Sequence, residues 1–174
     1  MFHIALRGIS HIVRATNAPP IDSPTWVALG DREPFPPDFP LRHRAATLAA
    51  PSPQAILRAL APRACLSVYL NPPNQRLACA AIPGVAHYFR LADGTVKPLS
   101  SDPEPMVLAA GDSYVALNPV ALTLADSAAI ARFVHLRDYF NVDKLASALI
   151  AHLVELAGVA EPPDNLTILV VEAR

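Results

Sequence analysis

Two aspartates at the ends of apolar segments are the residues in this sequence most suited to binding a cation. Asp31 follows the segment "TWVALG", and Asp164 precedes "NLTILVV" near the end of the chain. Carboxylate oxygens are ligands for hard divalent cations, but Asp at a strand end also often closes a turn through a backbone hydrogen bond. The residues by themselves leave two interpretations open: one weak metal site formed by Asp31 and Asp164, or two turn-closing side chains.

Other kinds of site are not indicated. The histidines lack the HxH or HExxH spacing of a zinc site, and His152, on the helix with Leu149 and Leu153, is expected to be a residue at the boundary between core and surface. No GxSxG elbow supports a nucleophilic serine, and no GxxxxGK[ST] phosphate loop is present. Asp112, in "AAGDSY", is expected to be a hairpin-turn residue. The six histidines are His3, His11, His43, His87, His135 and His152.

The composition indicates one soluble domain spanning residues 1–174. Of the residues, 52% are hydrophobic, and 14 basic and 15 acidic side chains give a net charge of -1. No basic stretch indicates a nucleic-acid partner. The uncharged runs 45–57 and 113–125 are too short to span a bilayer, and the N-terminus lacks the unbroken apolar stretch of a signal peptide. We therefore expect a cytoplasmic protein, with Cys65 and Cys79 as buried, reduced thiols.

Apolar runs bounded by turn residues predict a series of strands. The turn segments "NPPN", "ADG" and Gly111-Asp112 each lie between two such runs, and this arrangement predicts three hairpins. The final strand is almost entirely apolar, so we expect it inside a sheet. The predicted strands are 3–13, 25–31, 64–70, 75–82, 85–91, 95–99, 105–110, 113–117 and 165–173.

Helices are predicted at 41–50, 52–62, 127–136 and 141–158. In the second of these, Ser52 is a candidate N-cap and Pro53 occupies the first helical position. In the last, Leu145, Leu149, Leu153 and Leu156 recur at helical spacing before Gly158, a candidate C-cap. Strands and helices that segregate along the chain in this way favour an α+β fold.

This order of elements, with four local strings, resembles the metal-dependent protein phosphatases of type 2C, and in particular their compact bacterial branch of sporulation and stress-regulator phosphatases. The strings are "WVALGD", the meander "ACLSVYLNPPNQRLACAAIPGVAHYFRLADGTVKPL", "VLAAGDSYVALNP" and "PPDNLTILVVEAR". They cover nearly the whole chain in the family's order. The resemblance implies an antiparallel β-sandwich flanked by helices in α-β-β-α layers, with a two-metal site at one edge of the sandwich.

In that family, four aspartates hold two divalent cations, which activate a water for attack on phosphorus. By resemblance, Asp31 and Asp164 match two of the four positions. Asn118 stands at a third, where the family has the Asp of Ser-Asp-Gly. The fourth, an early Gly-Asp, is not recognisable in residues 1–24. The family's Gly-His-Gly loop, which brings backbone close to the metal, is replaced by 34–36, "PFP", where proline restricts the backbone.

The segment that replaces this loop, "REPFPPDFP", has a second possible use. Its prolines restrict the backbone, so little entropy is lost when it docks. Phe35 and Phe39 could then anchor a protein partner, as aromatic side chains often do. Alternatively, both rings pack back over the core.

Taken together, the sequence predicts a catalytically degenerate type 2C phosphatase-like domain. It would act by binding another protein in bacterial signalling, without a cofactor and with no confidently assigned catalytic residue. Asp31 and Asp164 would be vestigial or weak metal ligands, and Asn118 would occupy a lost ligand position. One alternative is an active Mn²⁺- or Mg²⁺-dependent Ser/Thr phosphatase with a divergent site. A third hypothesis is an unrelated α+β fold with a structural or assembly role.

Overall fold

The structure, a computed structural model, describes residues 1–8, 24–30, 52–136, 141–160 and 166–174. Within these ranges, nine strands form two antiparallel sheets. One sheet has the order β1-β9-β8-β5-β6 and the other the order β2-β3-β4-β7. The strands are Phe2–Gly8 (β1), Thr25–Gly30 (β2), Ala64–Asn71 (β3), Arg76–Ala81 (β4), Ala86–Arg90 (β5), Val96–Pro98 (β6), Met106–Val107 (β7), Ser113–Leu117 (β8) and Thr167–Ala173 (β9).

Among the described residues, four α-helices cover the outer faces of the two sheets. Helix α1 packs on the β2-β3 face through Ile56 and Leu60, whereas α3 and α4 pack on the other sheet. This arrangement gives the α-β-β-α layers implied by the resemblance and confirms the predicted α+β sandwich. The helices are Pro53–Leu60 (α1), Ala121–Leu124 (α2), Ser127–Leu136 (α3) and Val142–Ala157 (α4).

Local signals fix the ends of α1 and α4. The Ser52 hydroxyl accepts a hydrogen bond from the Ala55 N–H at 3.2 Å, and Pro53 is the first helical residue. The Asn141 side chain caps α4 in the same way, at 2.9 Å from the Lys144 nitrogen. Gly158 ends α4 with φ +63, a left-handed conformation that glycine adopts without strain. The predicted caps Ser52 and Gly158 are confirmed.

Two of the three predicted hairpins form. The segment "NPPN" connects β3 to β4, with Val68 opposite Cys79. The segment "ADG" connects β5 to β6, and there the Asp93 side chain accepts a hydrogen bond from the Thr95 N–H at 2.8 Å. In both cases, strands that are neighbours in the sequence are also neighbours in one sheet, so the local sequence pattern was enough to predict their pairing.

The third predicted hairpin, at Gly111-Asp112, is wrong. The strand before the turn, β7, pairs with β4 in one sheet, whereas β8 pairs with β5 and β9 in the other. The turn therefore carries the chain from one sheet to the other. Gly111 is required here because its φ is +89, and a side chain would start 3.1 Å from the Ala92 Cβ.

Strand β9 lies between β1 and β8, as its composition predicted. Leu169 and Val171 face the core between the sheets, whereas Ile168 and Val170 face α3 and α4. Burial on both faces explains why its sequence is an apolar run without alternation. Each fully buried Leu, Ile or Val side chain contributes roughly 1.5–3 kcal/mol to the free energy of unfolding.

Three further residues confirm or limit the predictions. Cys65 and Cys79 are both buried free thiols, as expected. Leu156, which has helical spacing with the buried leucines of α4, is 49% exposed instead. It lies in the last turn of α4, and the sheet-facing core ends at Leu153.

Candidate functional site

The junction between β8 and β9 is the described part of the predicted site. Strand β8 ends at Leu117, opposite Ile168 of β9, so Asn118 follows the last paired residue of β8. On the other side of β9, Thr167 pairs with Gly8 at the end of β1. The antiparallel register thus brings the end of β8, the start of β9 and the end of β1 to one edge of the sheet.

Asn118 joins the two strand ends through its side chain and its backbone. Its side chain is fully buried, and Oδ1 accepts a hydrogen bond from the Thr167 N–H at 3.2 Å. Its own N–H donates to the Thr167 carbonyl at 3.1 Å, and its carbonyl accepts from the Ala121 N–H at 3.0 Å. One residue therefore fixes the β8–β9 register and the start of α2.

Asn118 is a poorer ligand for a divalent metal ion than an Asp at this position would be. A carboxylate has two oxygens, so an Asp here could accept the Thr167 hydrogen bond with one and coordinate a cation with the other. Asn118 has one side-chain oxygen, which already accepts the Thr167 hydrogen bond and has only its second lone pair to offer, and its other polar atom is an amide nitrogen that donates. It also brings no negative charge to offset that of a cation.

The other predicted site residues lie outside the described residues. These are the predicted metal ligands Asp31 and Asp164 and the predicted partner-binding Phe35 and Phe39. Within the described ranges, no group of three or more His, Cys, Asp or Glu side chains could hold a metal ion. Of the predicted site residues, the structure therefore describes Asn118 only.

Asp112 stands in a turn, as predicted, but this turn connects the two sheets and is not the predicted hairpin. It is buried, and its two carboxylate oxygens accept hydrogen bonds from the Ala92 and Ala109 N–H groups, each at 2.9 Å. Ala92 belongs to the β5–β6 turn, so Asp112 ties two turns together. Its oxygens serve backbone donors, and its role is structural.

A buried polar cluster between the sheets was not predicted. It consists of His87 on β5, Tyr114 on β8 and Cys79 on β4. The His87 Nδ1 lies 3.2 Å from the Tyr114 hydroxyl, with the two rings edge to face at 6.1 Å. The sequence signal was a histidine inside the apolar strand "AHYFR", but the sequence does not reveal its partner in β8.

Burial keeps this cluster uncharged near neutral pH. Desolvation lowers the pKa of His87, opposed by a hydrogen bond to the Ser100 backbone. Desolvation also raises the pKa of Cys79 to about 11, opposed by its hydrogen bond with Tyr114, and raises the pKa of Tyr114 well above its ordinary value. A neutral thiol is a poor nucleophile, so Cys79 is not suited to nucleophilic catalysis. Because Cys79 belongs to one sheet and His87 and Tyr114 to the other, the cluster links the two sheets.

His152 lies half-buried on α4, as expected for a boundary residue. Its ring stacks on that of Phe133 in α3, with the centroids 4.3 Å apart. Among the helices that the structure describes, none has the length and apolar character needed to cross a membrane.

No protein-family model and no curated protein sequence matches the chain. Solved structures do match its fold. The phosphatase domain of SpoIIE, a cell fate determinant of Bacillus subtilis, aligns with 99% of this chain and 92% of its own, at 9% identity and a TM-score of 0.65. The Mycobacterium tuberculosis serine/threonine phosphatase PstP aligns with 99% of both chains, at 16% identity and a TM-score of 0.55.

A third match, the PP2C domain of SiaA from Pseudomonas aeruginosa, aligns with 76% of this chain at 20% identity and a TM-score of 0.58. The chain covers 65% of that structure, which is less than two thirds of its length. At 9–20% identity, these matches define a fold. They agree with the two sheets and flanking helices described above, so the chain has the fold of the type 2C protein phosphatases.

Proposed function

We propose that this chain is a catalytically degenerate type 2C phosphatase-like domain that binds another protein in a bacterial regulatory pathway. The observation that carries the proposal is Asn118. The resemblance implies a metal-binding Asp at this position. Asn118 is buried there instead, and its one side-chain oxygen accepts a hydrogen bond from the Thr167 N–H.

The charge at the site supports the loss of activity. Two divalent cations together carry four positive charges, and hard cations of this kind need several carboxylate oxygens. By resemblance, Asp31 and Asp164 are the two recognisable aspartates of the four that the family uses. Two carboxylates and a neutral amide leave half of that charge uncompensated, so neither metal ion would be held tightly.

The retained fold supports a binding role. The two sheets and the helical layers match phosphatase domains at TM-scores of 0.55–0.65. One matched protein, SpoIIE, is a cell fate determinant, which suggests a regulatory setting. By sequence, Phe35 and Phe39 in the proline-rich segment are the candidate anchors for the partner.

The first test is a thermal melt of the chain with and without millimolar Mn²⁺, together with hydrolysis of an aryl phosphate. The proposal expects no stabilisation and no turnover. A working site with Mn²⁺ at one hundred times its dissociation constant would instead add about 2.7 kcal/mol to the free energy of unfolding. Stabilisation together with turnover would overturn the proposal in favour of an active metal-dependent phosphatase.

Asn118→Asp provides the matched variant. The new carboxylate keeps an acceptor for the Thr167 N–H and adds one potential ligand. Because a second ligand position still lacks an aspartate, we expect weak Mn²⁺ binding at most. With the metal at its dissociation constant, the stabilisation is about 0.4 kcal/mol. Rapid hydrolysis of the aryl phosphate by this single variant would show that Asn118 alone prevents catalysis. That result would contradict the interpretation that the missing early aspartate also prevents it.

The proposed binding of another protein is tested separately. A Phe35→Ala/Phe39→Ala double variant and the unchanged chain would be compared as bait in chemical crosslinking with cell extract. A partner crosslinked by the unchanged chain and lost with the variant, whose melting temperature is unchanged, supports the two anchors. Equal capture by both chains would rule out this segment as the binding surface.

A further inference from the structure

A small polar cavity lies beside the first turn of α4, at the end of the larger sheet where β8 begins. We call it the α4 cavity, and its volume is about 40 Å³. That volume accommodates roughly three water-sized atoms, since one water needs about 10–15 Å³. The polar side chains that line the α4 cavity belong to Arg90, Ser113, Asn141 and Glu172.

Three of these residues form one row across the sheet. Ser113 on β8 lies opposite Arg90 of β5 on one side and opposite Glu172 of β9 on the other. Residues directly opposite each other in antiparallel strands project from the same face. The next row on this face contains Val115 and Val170, which belong to the apolar core. The row at Ser113 is therefore where the helix-covered face changes from apolar to polar.

Ser113 is the buried polar residue of this cavity. It is 7% exposed, and within the part of the chain that the structure describes its hydroxyl forms no hydrogen bond. Asp112, the residue before it, does not line the cavity. A buried hydroxyl normally has a hydrogen-bond partner, and leaving it without one costs free energy. The Ser113 hydroxyl is therefore available to a molecule that enters the cavity.

The other groups around the cavity are mostly hydrogen-bond donors. The Asn141 side-chain oxygen accepts from the Lys144 N–H at 2.9 Å, so its NH₂ group remains to donate. Arg90 donates from Nε to the Val134 carbonyl at 3.2 Å, and its guanidinium brings a positive charge. The first turn of α4 adds the positive end of the helix dipole, and Asp143 in that turn does not line the cavity. Together these groups favour an anion.

Glu172 determines which anion fits. Its Oε2 accepts hydrogen bonds from two guanidinium nitrogens of Arg174, each at 3.2 Å, so Arg174 compensates its charge. A carboxylate only accepts hydrogen bonds, and an anion beside it must therefore supply a proton of its own. Hydrogen phosphate and bicarbonate carry an O–H group at neutral pH, whereas sulfate carries none. Glu172 thus favours protonated oxyanions over sulfate.

We propose that the α4 cavity binds one small protonated oxyanion of the hydrogen phosphate or bicarbonate class. Ser113 and Asn141 donate hydrogen bonds to its oxygens beside the Arg90 guanidinium. Glu172 accepts a hydrogen bond from its O–H group. The cavity lies at the start of β8, whereas the Asn118 junction lies at its end. Binding here is therefore independent of whether the Asn118 junction holds metal.

The test is isothermal titration calorimetry of the full chain near pH 7 with sodium phosphate, bicarbonate and sulfate, at equal ionic strength. EDTA is present throughout, so that phosphate held by a metal ion does not contribute to the heat. We expect saturable binding of one phosphate or one bicarbonate per chain, with sulfate about tenfold weaker or more. The comparison of phosphate with bicarbonate distinguishes a tetrahedral from a planar ligand.

Ser113→Ala is the first variant. Loss of the hydroxyl should raise the dissociation constant about tenfold, because a hydrogen bond to a charged ligand disappears. Without ligand, the melting temperature should not fall, because among the described residues the hydroxyl has no partner to lose. Ser147→Ala, at an exposed position of α4 outside the cavity, is the matched control and should change neither quantity.

Glu172→Gln tests the choice of anion. The glutamine amide donates to a sulfate oxygen, whereas the carboxylate repels it. We therefore expect sulfate binding to strengthen, and the preference for phosphate or bicarbonate over sulfate to fall about tenfold.

Absence of saturable binding of both phosphate and bicarbonate would overturn the proposal. Sulfate binding as tight as theirs would overturn the role of Glu172, and an unchanged dissociation constant in Ser113→Ala would place the ion elsewhere. A lower melting temperature of ligand-free Ser113→Ala would show that the hydroxyl already has a partner in the folded chain, which also overturns the proposal.

Discussion

The two ends of strand β8 use buried polar side chains in different ways. At its start, Asp112 is charged and accepts hydrogen bonds with both carboxylate oxygens, from Ala92 and Ala109. At its end, Asn118 is neutral and accepts one hydrogen bond, from Thr167. The charged residue stands where nothing indicates a ligand, and the neutral one stands at the expected metal position.

Both side chains thus serve the fold, although only Asn118 stands at an expected ligand position. A buried polar side chain must find partners, and backbone N–H groups at strand ends and turns supply them. Asp112 has all its acceptor atoms occupied without a cation. Whether an Asp or Asn at a strand end can bind a ligand thus depends on how many of its side-chain oxygens do not already accept hydrogen bonds from backbone N–H groups.

The largest expected effect is that of Asp112→Ala. Removal of the carboxylate leaves the Ala92 and Ala109 N–H groups without their acceptor, and we expect a loss of about 2–3 kcal/mol in the free energy of unfolding. Urea denaturation measures it. Asp112→Asn keeps one oxygen and should lose about half as much. Asp93→Ala, in the exposed β5–β6 turn, should lose less than either variant. Equal losses of unfolding free energy in Asp93→Ala and Asp112→Ala would show that burial of the Asp112 turn does not strengthen its hydrogen bonds.

Asn118→Ala should have the next largest effect. The change removes one hydrogen bond and leaves the Thr167 N–H without its acceptor at the β8–β9 junction, which costs about 1–2 kcal/mol. Hydrogen exchange of the Thr167 amide, measured together with urea denaturation, would locate the loss. An unchanged exchange rate would mean that the Asn118 amide does not hold this junction, and the structural role assigned to it would fail.

The smallest expected effect comes from His87, which pairs with Ala116 in the middle of β8. Burial lowers the pKa of His87 below its ordinary value of 6.5 in the folded state. The unfolded chain therefore binds the proton first as pH falls, and the free energy of unfolding decreases. The loss between pH 7 and pH 6 is at most roughly 0.7 kcal/mol.

His87→Gln, which stays neutral, should flatten this part of the pH profile of stability. His135→Gln, on the surface of α3, serves as the control and should retain the slope due to His87. A His87→Gln profile as steep as that of the unchanged chain would show that the proton is taken up elsewhere.

Much of the local structure could be predicted because its causes are local. Ser52 and Gly158 set helix ends through contacts within a few residues, and "NPPN" and "ADG" connect neighbouring strands. The apolar run of β9 correctly indicated a strand inside a sheet. The predicted pairing of the strands on either side of Gly111-Asp112 was wrong. A Gly-Asp turn between apolar runs is compatible both with a hairpin and with a change of sheet.

The sequence by itself determined the elements, the α+β class and, through ordered motifs, the resemblance to type 2C phosphatases. Tertiary structure decided which sheet each strand joins: β7 and β8 lie in different sheets, and Asp112 in the turn between them accepts a hydrogen bond from the Ala92 N–H. It also decided that the Asn118 side-chain oxygen accepts a hydrogen bond from Thr167, and that Leu156 is left exposed at the surface. These outcomes depend on contacts between residues far apart in the chain, which no local pattern specifies.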